Sequence, residues 1–167
     1  MPAPSINTER LLLRPYRLED FPHLHALYET ERAAFIGGRL SPRQVWDGFM
    51  NCIGQWEVLG LGGWAVEERA SGALVGEVAV HRPVDYPEIE LGWLLFDGFE
   101  GRGYANEAAQ AARNWAFLEL GLSSIVSYID RDNARSIRLA ERLGAILDPE
   151  APTPNGDPCL VYRHNSA

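Results

Sequence analysis

The sequence contains no lysine: its fifteen Lys+Arg positions are all arginine. That excludes a Walker A loop, whose GxxxxGK[ST] string needs a lysine to reach nucleotide phosphates. Cysteine is scarce as well. Cys52 and Cys159 stand far apart and outside any CxxC or Cys/His cluster, so neither a zinc site nor a disulfide framework is expected. Long apolar runs are missing, with no window near the roughly 18 residues of a membrane span. The opening MPAPSINTERLLLRP has neither the basic segment nor the apolar core of a signal peptide. Positive charge is in deficit, 15 Lys+Arg against 23 Asp+Glu for a net charge of −8. This is the wrong sign for holding nucleic acid by bulk charge and suits a basic or amine-bearing partner. The expectation is a cytoplasmic, soluble protein without metal, nucleic-acid or membrane partners.

What is present fits one ordinary domain over residues 1–167. With 46% hydrophobic and 23% charged residues, a chain of this length folds around its own core. Thr8 to Arg17 reads as a first strand that Pro15 brings to an end. Acidic Glu19 and Asp20 then open a helix with Pro22 in its first turn and Phe21, Leu24, Leu27 and Tyr28 at helical spacing. Ser41-Pro42 opens a second helix, with Val45, Phe49, Ile53 and Trp56 on its apolar face. From Gly62 the period changes to that of strands. GGWAVEER and ALVGEVAVHRP read as a hairpin turned at Ser71-Gly72, and EIELGWLLF as a further strand. A helix follows with Tyr104, Ala108, Ala111, Trp115 and Leu118 on one side, Glu107, Gln110 and Asn114 on the other, and Gly121 as its stop. SSIVSYID is a strand, DNARSIRLAERLGA a helix capped by Asp132 or Asn133, and CLVYRH a short last strand. The order β-α-α-β-β-β-α-β-α-β implies an α/β domain with a mixed sheet.

The chemistry concentrates at the turn after the EIELGWLLF strand. Gly98, Gly101 and Gly103 lie just ahead of a helix, Arg102 adds a positive charge, and unpaired helix N–H groups there form an anion site. The same glycines also suit a tight turn with no ligand. A dinucleotide fingerprint is not met, because Gly101-x-Gly103 is followed by Asn106 where a third glycine belongs.

The string LGWLLFDGFEGRGYANEA resembles motif A of the GNAT superfamily of acyl-CoA N-acetyltransferases, with Glu100-Gly101-Arg102-Gly103-Tyr104-Ala105 in place of [Q/R]-x-x-G-x-[G/A]. NTERLLLRPYRLEDF and DNARSIRLAERLGA resemble the opening and closing segments of its ribosomal-protein N-terminal acetyltransferase branch. The resemblance covers nearly the whole chain. It implies a central mixed, mostly antiparallel sheet with splayed middle strands flanked by helices. It further implies acetyl-CoA as cosubstrate, its pantetheine paired with the backbone of Trp93, Leu94 and Leu95 and its diphosphate cradled by Gly101, Arg102, Gly103, Tyr104, Ala105 and Asn106. Asn133 matches the family's pantetheine-binding Asn and is equally a helix N-cap. The Leu95 amide would bond the thioester carbonyl, a donor whose loss costs on the order of 10²–10³ in rate. Glu100 departs from the motif, and a carboxylate beside a diphosphate has to turn away.

The implied reaction is direct attack by a primary amine, at a protein N-terminus or on a small molecule, without a covalent enzyme intermediate. Because an alkyl ammonium has a pKa of about 10.4, a base is required. Strand alternation puts Glu88, Glu90, Gly92 and Leu94 on one face, opposite an apolar face of Ile89, Leu91, Trp93 and Leu95. Glu90 is the first candidate base, followed by Glu88 and then Glu77. The tyrosine that many members place seven residues after the Asn is Ala140 here, and Ser136, three residues after it, is the candidate acid. His81 carries no assignment. The apolar, Trp-rich character suits a homodimer, and a non-catalytic acyl-CoA-binding or regulatory domain is the alternative reading.

Overall fold

The computed structural model describes residues 3–166; Met1, Pro2 and Ala167, the ends of the expected domain, lie outside the described residues. Its strands are β1 (Ile6–Asn7), β2 (Leu11–Arg14), β3 (Gly62–Glu68), β4 (Leu74–His81), β5 (Glu90–Leu95), β6 (Ser124–Ile129), β7 (Ile146–Leu147) and β8 (Leu160–Asn165). They join in one sheet in the order β1-β2-β3-β4-β5-β6-β8-β7. Six of the seven neighbouring pairs are antiparallel, and only β5 and β6 run parallel. The helices are α1 (Phe21–Tyr28), α2 (Pro42–Leu59), α3 (Tyr104–Glu119) and α4 (Ala134–Arg142).

Local sequence explains most of these elements. Ser41 caps α2 by accepting from the Gln44 N–H while the Gln44 side chain accepts from the Ser41 N–H. Val45, Phe49 and Trp56 then bury one face of the helix. The hairpin of β3 and β4 turns at Gly72, whose φ of +71° is open to glycine. One helical layer brings α3 and α4 onto the sheet around Trp64, Val78, Val80 and Leu91. On the other side Leu24, Leu27, Val45 and Phe49 pack with Phe96, Tyr16 and Leu94. Trp56, Trp64 and Trp115 meet edge to face, with ring centroids 4.6–5.3 Å apart, and are core as their spacing implies.

Three expectations need correction. Of the span read as one strand, Thr8 to Arg17, only β2 (Leu11–Arg14) is strand, and β1, which precedes that span, folds back on it with Ile6 opposite Leu13. Thr8 makes the bend, because its hydroxyl accepts from the Leu11 N–H. In α3 the buried residues are Tyr104, Ala108, Ala109, Ala112 and Ala116, while Leu118 is 81% exposed. A strict 3.5-residue stripe drifts around a 3.6-residue helix, and by Leu118 it has left the sheet. The 3₁₀ turn Glu31–Phe35 and the edge strand β7 went unread, the first having no period and the second only two residues.

Candidate active site

The site begins where β5 and β6 separate. Their shared register is the single pair Glu90 and Val126, so from Gly92 onward that edge of β5 faces a gap. On its other edge β5 pairs with β4 through to Leu95 opposite Gly76. Just beyond the strand, the Phe96 N–H donates to Val75 O at 2.9 Å. Ladder polarity alternates along a strand, so even-numbered residues bond β4 and odd-numbered ones turn to the gap. Two contacts agree with this: the Ser127 hydroxyl donates to Leu91 O at 2.6 Å, and Arg32 Nη2 donates to Leu95 O at 2.8 Å. The N–H groups of Trp93 and Leu95 therefore point into the wedge.

At the wide end of this gap the chain turns through Gly98, Gly101 and Gly103, all with φ between +74° and +85°. Gly103 is the N-cap of α3, and no side chain caps that terminus, so its first-turn N–H groups remain available to an anion. A clamp holds the turn in place. Glu107 accepts from the Thr8 hydroxyl at 2.6 Å and from Arg10 Nε at 2.7 Å, and Arg10 Nη1 donates to Arg102 O at 2.8 Å. Tyr104 points inward, its hydroxyl donating to Glu68.

Two connected cavities result. The larger, about 980 Å³, is bounded by Leu95, Gly101, Gly103, Tyr104, Ala105 and Asn106 on one side and by α4 on the other. Its cations are Arg32, Arg135, Arg138 and Arg142. Arg102 is not among its walls; that guanidinium lies outside, over the Phe99 ring at 5.7 Å. Glu100, expected to turn away, instead lines the larger cavity, where it pairs with Arg32 and accepts from the Gly98 N–H of the turn at 3.1 Å. Burial opposes the Glu100 carboxylate, but these hydrogen bonds outweigh it and lower its pKa. Asn106 Oδ1 and Arg32 Nε are buried with no protein partner. Two orphaned polar atoms beside an arginine-lined cavity fit a large anionic ligand such as acetyl-CoA.

The smaller cavity, about 350 Å³, shares Phe35, Ile36, Trp93, Leu94, Asn133 and Ser136 with the larger one. Glu77, His81 and Glu90 face into it from β4 and β5. His81 Nε2 lies 2.7 Å from Glu90 Oε2. Burial disfavours the His81 imidazolium, but the Glu90 hydrogen bond and the Glu90 and Glu77 carboxylates outweigh it and raise the pKa. Burial raises that of Glu77, against its hydrogen bond from Tyr16 and the charge of His81. Glu88, the second candidate base, lies elsewhere in an ion pair with Arg163 at 2.7 Å.

Asn133 is the N-cap of α4, its side chain accepting from the Ser136 N–H at 3.2 Å, yet it also lines both cavities. Ser136 Oγ accepts from Trp93 Nε1 at 3.2 Å, which leaves its hydroxyl proton free to donate. Ala140 is fully buried among Ile129, Ala145 and Tyr162, so the position of the missing tyrosine is core in this chain.

Residues 10–146 match the family model described as the acetyltransferase (GNAT) domain. The chain belongs to the GNAT family. Among solved structures, an acetyltransferase from Agrobacterium tumefaciens superimposes with a TM-score of 0.95 at 38% identity, covering 99% of this chain and 96% of that one. RimL, a ribosomal L7/L12 α-N-protein acetyltransferase solved with coenzyme A, shares the fold at a TM-score of 0.75 and 19% identity, covering 97% and 98%. The uncharacterized N-acetyltransferase YnaD of Bacillus subtilis is 29% identical over 76 residues, which is 46% of this chain and 45% of YnaD. The chain thus spans less than half of that relative.

Within this GNAT domain, sequence reasoning missed Arg32 and His81 as well as the α4 arginines of the larger cavity. Arg32 comes from an aperiodic ERAAF segment, and His81 meets Glu90 only through the register of two strands joined by the Pro83–Pro87 loop. Neither position carried a local motif.

Proposed function

We propose that this protein transfers the acetyl group of acetyl-CoA to a primary amine by direct attack, in a cytoplasmic setting. One observation carries the reading: the unpaired edge of β5 runs from an uncapped, glycine-rich helix N-terminus to a cavity holding Glu90 and His81. A pantetheine thioester laid along that edge joins the two ends. Scarce cysteine supports the setting, as does the finding that no helix among the described residues is long and apolar enough to cross a membrane.

Acetyl-CoA supplies an activated acyl group. The chain's own residues do the rest. The Trp93 and Leu95 N–H groups are the donors for the pantetheine and the thioester carbonyl, fixed by a strand whose other edge is bonded to β4. The first turn of α3, with Asn106 and the arginines of the larger cavity, holds the phosphates. Glu90, oriented by His81, accepts the proton that the ammonium must lose. The Ser136 hydroxyl, anchored by the Trp93 indole, gives a hydrogen bond to the leaving sulfur.

The test is thermal unfolding with acetyl-CoA, followed by thiol release across a panel of amines. Acetyl-CoA at 100 times its Kd stabilises the protein by about 2.7 kcal/mol, and an amine then releases free CoA. No thermal shift overturns the reading. A shift without thiol release from any amine supports a non-catalytic acyl-CoA-binding domain instead.

A further inference from the structure

The smaller cavity has a charge and a surface that the acetyl-transfer reading alone does not explain. Its charged side chains are Glu77, Glu90 and His81, and no arginine lines it. Elsewhere arginines stand beside the carboxylates: Arg32 pairs with Asp97 and Glu100, Arg10 with Glu107 and Arg163 with Glu88. Around those groups stand three tyrosines, Tyr28, Tyr86 and Tyr128. Tyr86 bridges edge to face between His81, centroids 5.8 Å apart, and Tyr128, centroids 5.3 Å apart. Gly92 forms part of the wall, and a Cβ there would stand in ordinary contact with Glu90 and His81 at 3.8–3.9 Å, so a side chain at this position projects beside that pair.

We infer that the acceptor held in this cavity is a small primary amine with an apolar or aromatic body and no carboxylate. The inference rests on the acetyl-transfer reading above. An ammonium group is drawn to Glu77 and Glu90 and to the ring faces beside them. The tyrosine walls take the apolar body, and about 350 Å³ is near the lower end of small-molecule sites. An amino acid would bring its carboxylate within reach of two buried carboxylates with no arginine to receive it. A protein N-terminus would bury peptide carbonyls against ring faces and carboxylates, where donors are few.

The atoms balance with groups already named. The ammonium gives one proton to Glu90, and its nitrogen attacks the thioester carbon. The C–N bond forms, the C–S bond breaks with its electron pair going to sulfur, and a second proton from nitrogen reaches that sulfur. The products are amide, free thiol and one proton released from Glu90 to solvent.

The experiment compares 2-phenylethylamine, phenylalanine and an Ala-initiated tetrapeptide as acceptors by thiol release, with acetyl-CoA binding measured separately by calorimetry. The expected result is a kcat/KM for 2-phenylethylamine at least tenfold above both others. Glu77→Gln raises the KM for that amine several-fold with acetyl-CoA affinity unchanged, and Gly92→Val raises it by filling the cavity. Faster turnover of phenylalanine or the peptide overturns the inference while leaving acetyl transfer standing. So does acetyl-CoA binding with no turnover of any of the three. Failure of acetyl-CoA to bind overturns the acetyl-transfer reading itself, and this inference with it.

Discussion

His81 Nε2 lies 2.7 Å from Glu90 Oε2 across the rung of the β4–β5 ladder beside which β6 begins to diverge. Both side chains are largely buried, 18% and 11% exposed. A carboxylate and an imidazole so placed are fixed by two strands, and the cavity that they share meets the larger cavity at Trp93 and Leu94.

Glu90→Gln is therefore expected to lower kcat by about 10²-fold or more, the usual range for a general base, with acetyl-CoA affinity unchanged. His81→Gln lowers kcat less. It also has a pH signature in stability: the folded pKa of His81 is raised, so its contribution is complete below about pH 6.5 and is lost as pH rises through the folded value. Urea unfolding at pH 6 and pH 9 measures this, and the variant's deficit is larger at pH 6.

Glu100 stands where the family motif has Gln or Arg, and its carboxylate neutralises Arg32. Glu100→Gln keeps an acceptor for the Gly98 N–H and for Arg32 while removing a negative charge beside the expected diphosphate. Acetyl-CoA binding tightens by roughly three- to tenfold, as expected for one partly exposed charge. Calorimetric titration at low and high salt reads it, the gain shrinking as salt rises.

His164 is 1% exposed and held neutral, its pKa lowered to about 4 by burial and by the nearby charge of Arg113. Its Nε2 lies 3.0 Å from Ser127 Oγ, and its Nδ1 is buried without a partner. A depressed histidine favours folding above its unfolded pKa near 6.5, and that support is lost as pH falls toward 4. His164→Gln flattens the stability profile over this window by about 3 kcal/mol, measured as unfolding free energy at pH 7 and pH 4.5.

Arg14 and Asp20 form a buried bidentate pair at 2.8 and 2.9 Å, with Glu67 at 2.7 Å from Arg14 Nε. Asp20→Ala removes two charge-assisted hydrogen bonds from the buried Arg14 guanidinium, leaves it paired with Glu67, and costs about 2–3 kcal/mol, read as a fall in Tm. Burial works against the Asp20 carboxylate, but its bonds to Arg14 and to the Arg17 N–H outweigh it and lower the pKa. Its contribution is thus complete above about pH 3.9 and is lost as pH falls through the lower folded value.

Local rules carried the sequence reading furthest. Ser41 and Gln44 announce α2, Gly72 announces the β3–β4 turn, and the glycines from Gly98 to Gly103 announce the wedge's mouth, because each sets backbone conformation within a few residues. What depends on register was hidden. Glu90 could be placed on the correct strand face, yet its partner His81 is fixed only by β4 pairing with β5. Arg102 was expected to supply the charge at the turn, whereas the arginines lining the larger cavity come from Arg32 and α4. Only the packing of α4 against the wedge brings that second group near.

Amide hydrogen exchange resolved at single residues tests the central claim most directly. Trp93 and Leu95 have N–H groups turned into the gap, while the Leu94 N–H is turned toward β4. Adding acetyl-CoA is expected to slow exchange at Trp93 and Leu95 and in the first turn of α3, leaving Leu94 little changed. Unaltered exchange at both Trp93 and Leu95 in protein saturated with acetyl-CoA would contradict the account.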